Sequence, residues 1–341
     1  MAIATATQER PAAGAAAQTG CLLCGGYPHG VVIQENGYAG VRCENCGLIY
    51  VAPRPPWATV AACYETAGGE SGTAMGHADN RWHRWARSLP ARHTLALVAR
   101  YQRGGSLLEL GPGDGDFLAA AAARGFAVTG LEINAPRACR LQRRWGLPCV
   151  SLPLEDPGWQ GRRFDVVYHR DVLSHFYDPV QEFHLIHGVL QDHGLLVFET
   201  GNLGEVADRY LGEVPTFDYP EHLYFFGEKS LRRLLAATGF ELLALRRYGL
   251  GVYFRVERWV QAWRGQRQRA ARPKPAGRGG GGGSQEGGRR GLVKRCLLLG
   301  YEVIVEYLLK YQCGRFMAKP ARPQTLLVIA QKTGSRRPGA P

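Results

Sequence analysis

Long hydrophobic runs are missing from this chain. No apolar stretch reaches the roughly 18 residues, free of charge, that a bilayer-spanning helix requires. The apolar core of a signal peptide is missing as well, because the alanine-rich stretch Met1–Gly20 is interrupted by Gln8, Glu9 and Arg10. It reads as a disordered tail on a cytoplasmic protein. Acid is in short supply, with 29 Asp and Glu against 42 Lys and Arg, a net charge of +13. Such a balance attracts nucleic acid, anionic lipid or a phosphorylated substrate. Ten of the cations, however, crowd Arg264–Arg295, a segment that reads as a solvated linker. No interleaving of aromatic and basic residues marks a nucleic-acid face, which makes nucleic acid the disfavoured partner. Nine cysteines are present, but a disulfide framework is not indicated: four form two C-x-x-C pairs and the others are scattered among apolar neighbours. That usage fits metal ligation and buried thiols in a reducing compartment.

What remains is ample for one large core with appendages: 341 residues, 45% hydrophobic and 21% charged. Its organising stretch is Leu107–Leu118. Ser106–Leu110 predicts a short buried strand, and Asp116, Phe117, Leu118 and the alanines beyond predict a helix. Between them stand Gly111, Gly113 and Gly115, which let backbone touch a ligand directly and tolerate positive φ. The pattern is acid-x-G-x-G-x-G, with Glu109 as the acid, and it departs from the dinucleotide fingerprint G-x-G-x-x-G. Glu109, Asp114 and Asp116 would repel a phosphate, so a cationic cofactor suits this turn better. Phe126–Glu132 predicts a second strand that ends in an acid 23 residues after Glu109, placed to accept hydrogen bonds from ribose hydroxyls.

Further strands are expected at Pro148–Leu152, Phe164–Tyr168, Gly194–Thr200, Glu241–Arg247 and Thr325–Gln331. They alternate with helices at 135–145, 180–190, where Asp178 is the N-cap and Pro179 opens the helix, and 230–237. Strands alternating with helices imply a parallel, doubly wound α/β sheet. His175 falls in the loop beyond the fourth strand, and Phe217–Phe226 forms a loop rich in His, Glu and aromatics between the fifth and sixth.

Cys21, Cys24, Cys43 and Cys46 form two knuckles at a spacing that can wrap four thiolates around a zinc ion. Four sulfur ligands leave no open position, so the metal is expected to serve folding. Near the other end, Leu292–Gln312 predicts an apolar helix with Arg295, Glu302, Glu306 and Lys310 on one stripe. Packing on the core, dimerisation and contact with a membrane surface are the options for its apolar face, in that order; the basic segment before it favours the last.

The acid and glycine turn resembles motif I of the class I S-adenosylmethionine (SAM) methyltransferases, and the cysteine knuckles resemble the N-terminal zinc ribbon that some of them carry. The segment Pro220–Phe226, P-E-H-L-x-F-F, resembles the corresponding loop of zinc-ribbon sugar C-methyltransferases. The resemblance implies a Rossmann-like seven-stranded sheet whose last strand is antiparallel beside the sixth, with a helical insert before it. It implies that Glu109 meets the methionine amine, that Gly111, Gly113 and Gly115 line the amino-acid and ribose portions, and that Glu155 or Asp156 meets the adenine amine. With Glu132, Ile133 and Arg170 they make up the cofactor contacts. It further implies that His222 and Glu221 handle a proton, with His175 a second acid/base or substrate contact. Implied boundaries are a tail at 1–20, ribbon at 21–60, helical connector or lid at 61–103, SAM-binding core at 104–250, insert at 251–323, last strand at 324–333 and a tail at 334–341. Beyond residue 250 the chain departs from the sugar C-methylating relatives, which carry a further large α/β domain. The acceptor is thus a small molecule left open among sugars, lipid-linked compounds and secondary metabolites. A nucleic-acid methyltransferase and a non-catalytic SAM-binding scaffold are the rivals.

Overall fold

A computed structural model describes residues 20–66, 81–256, 258–259 and 296–334, without side chains for 64–66. The expected tail before residue 20, the linker at 264–290 and the helix start at 292–295 lie outside the described residues.

The central sheet has seven strands: β4 (Gly105–Leu110), β5 (Phe126–Leu131), β6 (Cys149–Val150), β7 (Phe164–Arg170), β8 (Leu190–Gly201), β10 (Phe240–Gly249) and β11 (Gln324–Lys332). Their spatial order is β10-β11-β8-β7-β4-β5-β6. The run from β6 to β8 is parallel, while β11 pairs antiparallel with both β8 and β10. Strands in such a sheet are covered on both faces and are apolar at successive positions, as Leu107, Leu108, Val166 and Val167 show. One face carries Leu107, Tyr168, Val197 and Ile329 against helices α2 (Arg81–Val98) and α3 (Asp116–Ala122). The other carries Leu108, Phe198 and Val328 against α5 (Pro179–Val189) and α7 (Glu228–Ala237). Helix α5 begins as its sequence dictates: the Asp178 carboxylate accepts from the N–H groups of Val180 and Gln181, each at 3.0 Å. The third strand of the sheet, β6, is shorter than its residues suggested, with Leu152 exposed and Asp156 turned to cap Gly158 N–H.

A second sheet belongs to the cysteine knuckles: β1 (Pro28–Glu35), β2 (Tyr38–Cys43) and β3 (Ile49–Val51), in antiparallel order. Its fourth strand is β9 (Tyr224–Phe225), donated by the core through the pairs Ile49↔Phe225 and Tyr50↔Tyr224. Sequence alone gave no hint of this strand, since two buried aromatics after a histidine read equally well as loop anchors. Arg42 adds a second tie, donating to Gly204 and Val206 carbonyls and pairing with Asp208.

The segment before the last strand packs on the core. It is helical from residue 296 and takes a π-helical register over Ile304–Cys313. Leu298, Val305 and Tyr311 are buried, but so are Glu302 and Lys310, whereas Leu297, Ile304 and Leu308 face outward. The charged stripe therefore does not lie wholly in solvent. Glu302 is turned inward by His83 Nδ1 at 2.8 Å, and Glu306 accepts from Tyr253. No helix among the described residues is long and apolar enough to cross a membrane.

Candidate active site

The glycine turn sits at the carboxyl ends of the parallel strands, where an open α/β sheet binds its ligands. All three of its glycines have positive φ, at 64°, 54° and 79° for Gly111, Gly113 and Gly115. A Cβ on Gly113 would meet nothing, so the space above it is open, while one on Gly115 would strike Trp145. Glycine is thus required at 115 for packing and at 113 by conformation and ligand access.

Glu109 lies under this turn, 4% exposed, and its Oε2 has no hydrogen-bond partner among the described residues. Burial raises its pKa to about 8; Arg170 opposes that rise and Asp116 adds to it. A buried carboxyl oxygen with no hydrogen-bond partner is what a cationic ligand group would complete. Glu132, also buried at the end of β5, accepts from Asn134 N–H at 3.0 Å. Beside it Ile133 is exposed, an apolar side chain open at the rim. Arg170 ends β7 and pairs with Asp171 at 3.5 Å. Glu155 is half-buried in the loop after β6, where its neighbour Asp156 is already used as a cap.

Several members of this region escaped the sequence reading. Arg87 of α2 pairs with Asp116 at 3.2 Å and approaches Glu302 at 3.7 Å, so the connector helix, the glycine turn and the insert meet in one buried charged group. Burial raises the Asp116 carboxyl, with Arg87 opposing. On β8, buried Glu199 accepts from Thr94 at 2.9 Å and Tyr311 at 2.7 Å. The available signal for Glu199 was an acid inside an otherwise apolar strand; for Arg87 there was none, since eight arginines lie between 81 and 144 on helices alone.

The histidines come together at the same edge. His175 ends a 3₁₀ turn (Leu173–His175) that follows β7, and its neighbour Val172 is the side chain a Cβ on Gly111 would touch. His222 Nε2 lies 3.2 Å from His175 Nε2, with the rings edge to face and their centroids 4.4 Å apart. Glu221 is not the direct partner of His222: its Oε1 lies 3.8 Å from Nδ1 of His175. The order is therefore His222, His175, Glu221. His222 Nδ1 donates to the Phe217 carbonyl at 3.0 Å, so the nitrogen turned toward His175 is Nε2. Burial, followed by the neighbouring His222, lowers the His175 pKa to about 3, so the ring is neutral near pH 7.

Away from this edge, Cys21, Cys24, Cys43 and Cys46 bring four sulfurs within 4.8 Å of one another. Cys21 and Cys46 are 3.5 Å apart, Cys24 and Cys43 3.4 Å. Sulfurs bound tetrahedrally at ~2.3 Å sit roughly 3.8 Å apart, a spacing within the span of this cluster.

Fold and site together give an α/β protein with a glycine turn open at the carboxyl ends of its parallel strands and four cysteines placed to hold a metal ion. Residues 82–245 match the family described as "Methyltransferase domain". A comparison with curated proteins finds no match. Among solved structures, the chain is similar to the 1,6-didemethyltoxoflavin-N1-methyltransferase of Burkholderia thailandensis, solved with 1,6-didemethyltoxoflavin and S-adenosylhomocysteine, at 17% identity over 90% of this chain and 99% of that one, with a TM-score of 0.46. It is also similar to the cyclopropane synthase MmaA2 of Mycobacterium tuberculosis, at 16% identity over 73% and 84% of the two chains, with a TM-score of 0.45.

Proposed function

We propose that this protein transfers the methyl group of SAM to a small-molecule acceptor, a sugar, a lipid-linked compound or a secondary metabolite, with a chain of His222, His175 and Glu221 handling the acceptor's proton. The observation that carries this reading is the contact of the two imidazoles, 3.2 Å apart, on the sheet edge that also bears the open glycine turn.

In this reading Glu109 receives the donor's ammonium, Glu132 the ribose hydroxyls, and the backbone of Gly111, Gly113 and Gly115 lies against the amino-acid and ribose portions. Ile133 covers the adenine, Glu155 accepts from its amine, and Arg170 offers a cation to the donor's carboxylate. SAM supplies a methyl group already activated on a sulfonium, so alignment and electrostatics carry most of the acceleration. The residues' remaining task is the proton. An acceptor hydroxyl or carbon acid must lose one as it attacks, and an imidazole with a bare Nε2 can take it near neutrality. The proton taken at His222 Nε2 can pass to the facing Nε2 of His175 as that ring releases its Nδ1 proton toward Glu221, whose side chain is 37% exposed and opens to solvent.

The four cysteines are assigned to zinc. Four thiolates give the closed tetrahedral set of a structural site, with no position left for water or substrate.

Two measurements test this. Purified protein incubated with labelled SAM and fractionated host extract should place label in a small-molecule fraction; label confined to RNA or protein would discard the acceptor class. His222→Ala should lower turnover at least ~100-fold with SAM affinity nearly intact, as expected on losing a general base. Undiminished turnover would remove His222 from the chemistry.

A further inference from the structure

The last residue of β1, Glu35, belongs to the cysteine-knuckle sheet, yet its carboxylate is spent on the loop that carries His222. Oε1 accepts from Phe217 N–H at 3.0 Å and from the Thr216 hydroxyl at 3.1 Å. Oε2 accepts from Tyr219 N–H at 3.0 Å and again from Phe217 at 3.3 Å. The adjacent Asn36, held at a φ of 52°, donates to the Tyr219 carbonyl at 2.8 Å. Gly40 on β2 leaves the room in which the Tyr219 ring lies. Below the loop, Val51 N–H donates to Leu223 O and Leu223 N–H to Ser174 O, next to His175. Burial opposes ionisation of Glu35, but the N–H groups of Phe217 and Tyr219 outweigh it and hold the carboxyl below its ordinary range. Glu35 is thus a carboxylate at neutral pH, and its bonds to the loop are charge-assisted.

Phe217 is the hinge of this arrangement. Its N–H is held by Glu35, and its carbonyl accepts the Nδ1 proton of His222 at 3.0 Å. Which imidazole nitrogen keeps its proton is set by the partner of the other nitrogen. A displaced Phe217 carbonyl would free His222 to adopt the opposite tautomer, with the proton on Nε2 and Nδ1 bare.

We propose that Glu35 is a positioning residue: the metal-knuckle sheet reaches across through it to clamp Phe217 and so fix the His222 tautomer that presents a basic Nε2. The structural statement stands by itself; only its effect on rate rests on the catalytic reading given above. The knuckle sheet then has a task beyond its own folding, since it sets the protonation geometry of a residue far along the chain.

The test compares full-length, metal-loaded wild type with Glu35→Gln and Glu35→Ala. Two-bond ¹H–¹⁵N correlation spectra, with the His222 signals assigned by their loss in His222→Ala, report the tautomer directly. The wild type should show Nδ1–H for His222. Glu35→Ala should show a mixture of tautomers, a kcat about 10-fold lower, SAM affinity within about twofold and unchanged metal content. Glu35→Gln, which keeps one acceptor oxygen, should fall between. Wild-type His222 nitrogen shifts in Glu35→Ala overturn the proposal, whatever happens to turnover. If Glu35→Ala loses its metal, Glu35→Gln decides by the same shifts. A tautomer change in a protein whose His222→Ala variant turns over normally leaves the clamp standing and discards only the catalytic assignment.

Discussion

The glycine turn and the histidine pair lie on one edge of one sheet, but they are built on different scales. Glu109, the three glycines and Glu132 come from a single strand-turn-helix-strand segment, and its two strands pair with each other. His175 and His222 come from separate loops, and the second loop is gripped by residues of the cysteine-knuckle sheet some 180 positions earlier, Glu35 and Asn36 among them. A site assembled locally tolerates the loss of distant structure; a site hung on another sheet does not. Removing the metal should therefore separate the two halves. Cys43→Ser, or exhaustive chelation, should reduce bound zinc from one per chain to near zero and lower turnover at least ~100-fold, because metal binding at such sites is folding free energy. SAM affinity measured calorimetrically should stay within about threefold. Equal loss of binding and turnover would show that the halves are not independent.

The converse perturbation acts on the local half. Glu109→Gln should weaken SAM binding at least ~10-fold, the scale of one charge-assisted bond, and leave the nitrogen shifts of His222 unchanged. The wild type adds a pH signature. With its pKa raised to about 8, Glu109 is protonated at neutral pH in the free protein and must ionise to receive an ammonium. SAM binding near pH 7 should release a proton from Glu109, seen as a dependence of the binding heat on buffer ionisation enthalpy that Glu109→Gln loses.

This difference in scale also explains what could be read from the residues alone. The glycine turn, the acid at the end of β5 and the N-cap at Asp178 are local devices, whose residue types and spacing state the physics directly. The seven core strands followed from the same kind of signal, with β6 overextended because its apolar residues continue past the point where the ladder stops. The joining of His175 to His222, the displacement of Glu221 to His175, and the pairing of β9 with β3 depend on contacts between remote segments, and no periodicity encodes them. The inward turn of Glu302 escaped for a related reason. A charged residue on an amphipathic helix reads as solvated until the partner that satisfies it, here His83 and Arg87, is known.

The smallest expected effect concerns β7, which pairs with β4 and leads into the His175 turn. His169 of β7 is fully buried, stacked on Phe198 with ring centroids 5.0 Å apart, and neither ring nitrogen has a hydrogen-bond partner among the described residues. Burial lowers its pKa to about 3, with Asp171 opposing. The unfolded chain takes up a proton on this histidine below about pH 6.5 and the folded chain does not, so stability falls as the pH drops through that window. One such group contributes a slope of up to about 1.4 kcal/mol per pH unit. His169→Phe keeps an aromatic ring against Phe198 and removes both unpaired nitrogens, a replacement that costs little where the polar atoms were unsatisfied. Chemical denaturation should find the variant within about 1 kcal/mol of wild type at pH 7.5 and relatively more stable at pH 5. Parallel stability curves for the two proteins would mean that His169 is protonated in the folded state, and that the strand between the two half-sites is wetter than its burial implies.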